Sequence, residues 1–235
     1  MDKSAILDLV RSRLASVEGR ISAACQRSRR DRSAVTLVTV TKTIPIDLAA
    51  ILPELELLDL GENRPQELWR KAAALPKNVR WHLIGHLQRN KIEQTLPLVN
   101  LMHSIDSVRL LQALDQEAGK QQRTPEVLLE VNVSREESKQ GFAPGEIADL
   151  MPTLQALRHV RIAGLMTMAP LQPPEQCRPV FVCLRRLRDQ LRERLTQRHD
   201  VRHLSMGMSN DFEVAIEEGA TFVRLGTVLF EGLTR

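Results

Sequence analysis

At 235 residues the chain fits one large α/β domain or two small ones, and 43% hydrophobic residues suffice for a sizeable core. With 3% aromatics and no tyrosine, that core must be aliphatic. The net charge of +4 comes from 33 basic and 29 acidic residues that are interspersed, which argues against a nucleic-acid surface and for solvated helix faces.

An opening helix is expected over residues 3–28, where Ile6, Leu9, Val10, Leu14, Val17 and Ile21 recur at helical spacing. A strand–helix alternation follows. The β-branched run 35–41 reads as the first strand, bounded by Ile44-Pro45, with a helix over 45–52. The second strand is 57–60, followed by Gly61-Glu62-Asn63 and a helix through Trp69. The third is 81–85, with a short helix from Gln88; the fourth is 101–105, with a helix over 108–120. The fifth, 127–133, is the most strand-like run and leads through a loop at Gly141 to a helix over 145–157. The sixth is 160–166, before an Arg-rich helix over 175–197. The seventh is 203–206, with a helix over 211–218, and the eighth is 221–225.

Eight strands alternating with helices point to one domain over residues 1–235, a single (β/α)8 TIM barrel of the α/β class with an extra N-terminal helix. An open doubly wound sheet is the alternative. It is disfavoured because no GxGxxG follows the first strand and no linker divides the chain. Cys25, Cys177 and Cys183 form no CxxC pair, no apolar run approaches a membrane span, and the N-terminus lacks a signal-peptide core. A cytoplasmic protein without disulfides, zinc or membrane contact is expected. The clusters Arg27-Ser28-Arg29-Arg30-Asp31-Arg32 and Arg185-Arg186-Leu187-Arg188 lack the stacking aromatics of a single-strand binder. An RNA-binding reading rests on charge alone and predicts a steep salt dependence.

In such a barrel the chemistry gathers at the C-terminal strand ends. Those ends carry Lys42, Glu62-Asn63, His86, Ser104 and Asp106, Asn132, Met166, Ser205-Met206-Gly207-Met208-Ser209 and Arg224-Leu225-Gly226-Thr227. Lys42 closes an apolar strand, where burial would lower its pKa and free its lone pair for carbonyl chemistry. The loops after strands seven and eight are the usual phosphate site of this architecture, and glycine lets backbone approach an anion. Asn210 is the expected helix cap there, with Glu213 as its capping-box partner. An amine opposite a phosphate cradle suggests a phosphorylated aldehyde held as an imine, with pyridoxal 5′-phosphate the obvious candidate. Arg224 is placed to donate to its ring nitrogen, which weakens the ring as an electron sink.

Several motifs then follow one known pattern in order: Val40-Thr41-Lys42-Thr43, Gly61-Glu62-Asn63, Trp81-His82-Leu83-Ile84-Gly85-His86-Leu87-Gln88 and His103-Ser104-Ile105-Asp106-Ser107. Val131-Asn132-Val133-Ser134, Glu137-Ser138-Lys139, Gly164-Leu165-Met166, Ser205-Met206-Gly207-Met208-Ser209 and Val223-Arg224-Leu225-Gly226-Thr227 complete it. Over residues 35–230 the chain resembles the pyridoxal phosphate homeostasis proteins, which are related to the N-terminal barrel of alanine racemases. The resemblance implies a Schiff base on Lys42, phosphate held by the last two loops, Arg224 at the ring nitrogen, and buffering or delivery of the cofactor without established turnover. The implied binding set is Lys42, Asn63, Met166, Ser205, Met206, Gly207, Ser209, Arg224, Gly226 and Thr227. Apo-forms of pyridoxal-phosphate enzymes are the implied partners, and a lone barrel with its own helix is expected to be a monomer. Many relatives read Lys-Thr-Lys-Pro where this chain reads Lys42-Thr43-Ile44-Pro45, so the second lysine is missing. Lys139 is an alternative amine, read as a solvated loop lysine.

The competing reading is a racemase-like enzyme acting on amino acids. A racemase of this architecture pairs its lysine with a tyrosine from a second domain. This chain has no tyrosine and ends at Arg235, and nothing in the spacing of His86 or His203 argues that either substitutes. His82 and His86 lie on a strand and its turn, so they do not form a helical metal pair.

Overall fold

The computed structural model describes residues 2–136, 139–195 and 198–233. Eight parallel strands close into a barrel in chain order, β1 beside β2 through β8, with β8 returning to β1. They are β1 (Thr36–Val40), β2 (Asp59–Glu62), β3 (Arg80–Leu83), β4 (Leu101–Ile105), β5 (Glu126–Glu130), β6 (Arg161–Met166), β7 (His203–Ser205) and β8 (Phe222–Leu225). Closure is set by the register Thr36↔Phe222 through Thr39↔Leu225. The open-sheet alternative is thereby excluded.

The helices are α1 (Lys3–Arg27), α2 (Ile46–Ala49), α3 (Pro65–Ala74), α4 (Ile92–Thr95), α5 (Val108–Lys120), α6 (Glu146–Asp149), α7 (Met151–Ala156), α8 (Pro174–Arg194), α9 (Phe212–Glu217) and α10 (Thr227–Phe230). The helix expected over 145–157 is two pieces that meet at Leu150, with Pro152 at the start of the second, where its missing N–H is harmless. Two of the four residues expected to end the α8 helix, and the Glu137-Ser138 of one motif, lie outside the described residues. The turn α10 was not expected; Gly226 is its cap.

The strands alternate. Leu37, Leu129, Leu204, Val223 and Leu225 point outward into an aliphatic shell under the helices. Val38, Leu128 and Phe222 point inward with Leu101, Ala163 and Met166. The inward set also holds Asp59, His82, His103, His203, Ser205 and Arg224, so the barrel interior is largely polar.

Helix α1 is strapped to the last two helices. Arg20 pairs with Glu213 at 2.6 Å and stacks 4.5 Å over the Phe212 ring, Arg27 pairs with Glu217 at 2.6 Å, and Arg13 donates to the Leu229 carbonyl at 3.0 Å. Arg30 donates to the carbonyls of Ile216 and Ala220 at 2.7 and 2.8 Å. The first basic cluster is therefore an internal fastening as well as a solvated face. No helix among the described residues is long and apolar enough to cross a membrane, and the three cysteines are free.

Candidate functional site at the barrel mouth

Strand β1 stops at Val40 because the chain then turns over the barrel rim. Thr41 is buried and closes the ladder, its N–H donating to the Gly61 carbonyl at 2.9 Å. Beneath this turn lies a buried ion pair. Lys71 Nζ donates to Glu62 Oε1 at 2.5 Å and to the Thr41 carbonyl at 2.6 Å, while the Thr41 hydroxyl donates to the same carboxylate oxygen at 2.7 Å. Glu62 Oε2 has no partner. This clamp fixes the backbone one residue before Lys42.

Lys42 itself is exposed. The burial expected from its place at the end of an apolar run is absent, because the strand ends two residues earlier and Lys42 rides on the turn. Its neighbour Ile44 is the buried residue, packed into the aliphatic shell.

Lys42 lines a cavity of about 590 Å³ at the C-terminal end of the barrel, a size suited to a small ligand. Asn63, Ser209, Arg224, Gly226 and Thr227 line it too. The other four members of the expected set lie beneath or behind it. Met166 is buried in the barrel interior, and Met168 lines the cavity in its place. Ser205 is fully buried and accepts a hydrogen bond from Arg224 Nη1 at 2.5 Å, because β7 turns it inward below the mouth. Met206 faces the aliphatic shell. Gly207 supports the wall: its carbonyl accepts from the Arg224 N–H at 3.0 Å. At φ +92° it also takes a backbone form closed to most residues, and a Cβ there would lie 2.6 Å from that of Ala215. The expected binding set omits Thr43, Ile84, Met168, Leu171 and Met208, which line the cavity as well, four of them apolar. They sit on loops, where no periodicity marks a face.

The end formed by the loops after β7 and β8 suits an anion. The Ser209 hydroxyl accepts from the Val228 N–H at 3.4 Å and ties the two loops together. The N–H groups of Ser209, Gly226 and Thr227 have no acceptor among the described residues. The expected cap is corrected: Asp211 opens α9 and takes the Met208 N–H at 2.7 Å, while Asn210 donates to the Gln172 carbonyl at 2.8 Å. Glu213 is drawn away by Arg20.

Arg224 lies on β8, two residues before Gly226, and is 4% exposed. Nη1 and Nη2 donate to Ser205 Oγ and to the Thr167 carbonyl, the latter at 2.9 Å. Burial pulls its pKa down to about 10, against the charges of Glu130 and Asp211, so it stays cationic at neutral pH. Glu130 ends β5 facing inward, and burial, with Asp106 adding to it, pushes its carboxyl up to about 7 despite Arg224 and His86.

His86 does not line this cavity. It is exposed, bonded through Nδ1 to Asp106 at 2.8 Å, and lines an adjoining cavity of about 360 Å³ with Arg64 and Lys91. His203 lies inside the barrel, 3.1 Å from the Thr221 hydroxyl. Burial, then the charge of Arg202, lowers its pKa to about 4. Lys139 is no solvated lysine. It is half-buried and donates to Glu136 at 2.7 Å and to the Met168 carbonyl at 3.2 Å, so it holds a wall of the cavity. No cluster of metal-ligating side chains occurs among the described residues.

Comparison with known proteins gives the same direction. The profile of the alanine racemase N-terminal domain family matches residues 14–233. The chain is 43% identical over 220 residues to the pyridoxal phosphate homeostasis protein of Aquifex aeolicus, covering 93% of this chain and 96% of that one. It is 34% identical to the human protein of the same description, covering 92% and 84%. A solved structure of an unknown protein from Bifidobacterium adolescentis superposes with a TM-score of 0.90 at 35% identity, covering 98% of this chain and 97% of that one. PipY of Synechococcus elongatus, solved with PLP bound, gives 0.78 at 34% identity, covering 94% and 99%. D-threonine aldolase from Filomicrobium marinum, at 15% identity and 0.72, covering 95% and 60%, shares the fold.

Proposed function

The chain belongs to the pyridoxal phosphate homeostasis protein family, and on that premise we propose that it holds pyridoxal 5′-phosphate in the mouth cavity and keeps it in reserve for other proteins. The observation that carries this reading is the convergence, on one cavity, of an amine, a buried guanidinium and unpartnered loop amides.

The site fits the group. Ser209, Gly226 and Thr227 offer free N–H groups to a phosphate, and the hydroxyls of Ser209 and Thr227 add to them. The apolar walls, Val40, Ile84 and Met168, suit a flat ring. Arg224 presents N–H groups and no acceptor, so it meets an unprotonated ring nitrogen. When bound, pyridoxal phosphate supplies an aldehyde that condenses reversibly with a primary amine. Lys42 presents that amine. Its exposure keeps the nitrogen open to arriving cofactor and to a competing amine from a recipient protein. The clamp of Lys71, Glu62 and Thr41 keeps its backbone in place.

Carrying, more than turnover, is the role these side chains support. Lys42 and Arg224 are the only titratable side chains lining the cavity among the described residues. Arg224 remains a donor, and these 235 residues hold no tyrosine to act as a second base. Apo-forms of pyridoxal-phosphate enzymes are the proposed recipients, and a cytoplasmic monomer is the proposed state. Arg178 is held by Glu217 and Glu218 and Arg27 by Glu217, and basic groups held in such pairs favour solvated helix faces over a nucleic-acid surface.

Borohydride treatment of the loaded protein should fix the vitamer on Lys42, as read by peptide mass mapping. An adduct on another lysine would overturn the assignment. Loaded protein incubated with alanine or serine should show no racemisation above free cofactor, and clear turnover would favour the enzyme reading.

A further inference from the structure

A chain of hydrogen bonds runs through the barrel from the mouth to the opposite end. Arg224 Nη1 reaches Ser205 Oγ at 2.5 Å, Ser205 Oγ lies 2.7 Å from His103 Nδ1, and His103 Nε2 lies 2.9 Å from His82 Nδ1. His82 Nε2 lies 3.0 Å from Asp59 Oδ1. Asp59 is held at the end of the chain by Arg80, which bonds both of its carboxylate oxygens. His103, Ser205 and Arg224 are 0%, 0% and 4% exposed, so water does not substitute for the bonds that link them.

The donor inventory gives the chain a direction. Arg224 only donates, so Ser205 Oγ accepts and has its own proton left to give. Burial, with the charge of Arg224 adding to it, holds His103 well below the ordinary histidine range, so it carries one ring proton. Burial pushes the Asp59 carboxyl up, but hydrogen bonds from Arg80 and His82 outweigh it and leave it near 2, so this end only accepts. With one proton on each imidazole, every link is satisfied when Ser205 donates to His103 Nδ1, His103 Nε2–H donates to His82 Nδ1, and His82 Nε2–H donates to Asp59. Each proton points from the mouth toward Asp59.

We propose that Asp59, His82, His103 and Ser205 are positioning residues which hold Arg224 in one rotamer as a fixed donor. The contact of Arg224 with the cofactor ring is thereby set from the far end of the barrel. This rests on the function proposed above. Arg224 has a long, rotamer-rich side chain, and with only the Thr167 carbonyl to hold it the guanidinium would be free to pivot.

The test has two arms. In the cofactor-free protein, nitrogen-15 NMR of the imidazoles should show the proton on Nε2 of both His82 and His103. A proton on His103 Nδ1 would overturn the direction of the chain. In the loaded protein, His103→Phe cuts the chain, whereas His103→Gln can accept from Ser205 and donate to His82. His103→Phe should weaken pyridoxal phosphate binding about tenfold and alter the absorption band of the bound vitamer, and His103→Gln should restore both. In an Arg224→Ala background His103→Phe should add nothing. An unchanged band and affinity in His103→Phe, or the same loss with Arg224 already removed, would sink the proposal. If His103→Phe does not fold, Ser205→Ala cuts the same chain by deleting one oxygen and carries the same expectations. Wild-type protein that took up no vitamer would overturn the function proposed above, and the NMR arm would still decide the relay.

Discussion

The two faces of the barrel strands are filled by opposite chemistry. The outward face is an aliphatic shell running from Val10 on α1 to Phe230 on α10, with Phe181 and Leu184 of α8 against it. The inward face has only six apolar residues in its cluster and is otherwise occupied by histidines, serine, carboxylates and arginine. The shell needs only volume and apolarity, and it tolerates any packing that fills space. The interior needs each donor matched to an acceptor, because an unmatched polar group there costs about as much as a lost core side chain. Stability is therefore concentrated on one face and the orientation of the site on the other.

Substitutions on each face should break this contrast in different ways. Phe181→Ala opens a void in the shell and should cost about 4 kcal/mol in chemical denaturation, while borohydride trapping at Lys42 stays as in the wild type. Lost trapping would show that the shell also orients the site. Lys71→Met strands the Glu62 carboxylate under the Lys42 turn and should cost about 3 kcal/mol. Unlike the shell variant, it should also slow trapping at Lys42, and the double variant Lys71→Met with Glu62→Leu should recover most of the stability.

Two smaller effects follow from the titrating groups of the interior. His203 has its pKa lowered in the folded state, so the unfolded chain takes up a proton first as pH falls. Its share of stability is intact above about 6.5 and is lost between there and about 4. Allowing for the solvent that reaches the ring, this amounts to about 2 kcal/mol. His203→Gln should flatten this part of the pH–stability curve. Glu130 has the opposite sign: its raised pKa means the folded state holds the proton longer, so its share of stability is intact below about 4.5 and is lost as pH rises from there to about 7. Glu130→Gln should raise stability at pH 8 by about 2 kcal/mol more than at pH 5. Equal effects at both pH values would show that burial of the charge is not what separates Glu130 from its neighbours.

The shell was legible in the sequence because its periodicity reports burial directly. Strand β4 and helix α5 fall where the pattern places them. The interior was less legible. Strand two was expected over 57–60 and lies two residues later, running through Gly61 to Glu62 with Asp59 opening it. It joins the sheet because Arg80 and His82, 21 and 23 residues away, bind its carboxylate. Within the expected binding set, Ser205 and Met206 are adjacent in a loop motif but go to opposite sides of the wall. Strand alternation decides which side each takes, and neither lines the cavity.

What the sequence settled alone is local: the count and order of the strands, and the motifs that gather at the strand ends. Closure of the barrel decided the rest. It exposed Lys42 by ending β1 at Val40, and it brought Asp59, His82, His103, Ser205 and Arg224 from five strands into one line. The physical reason is that burial periodicity along one strand records the face of each side chain. Hydrogen-bond partners across a barrel are fixed by the register of all eight strands together.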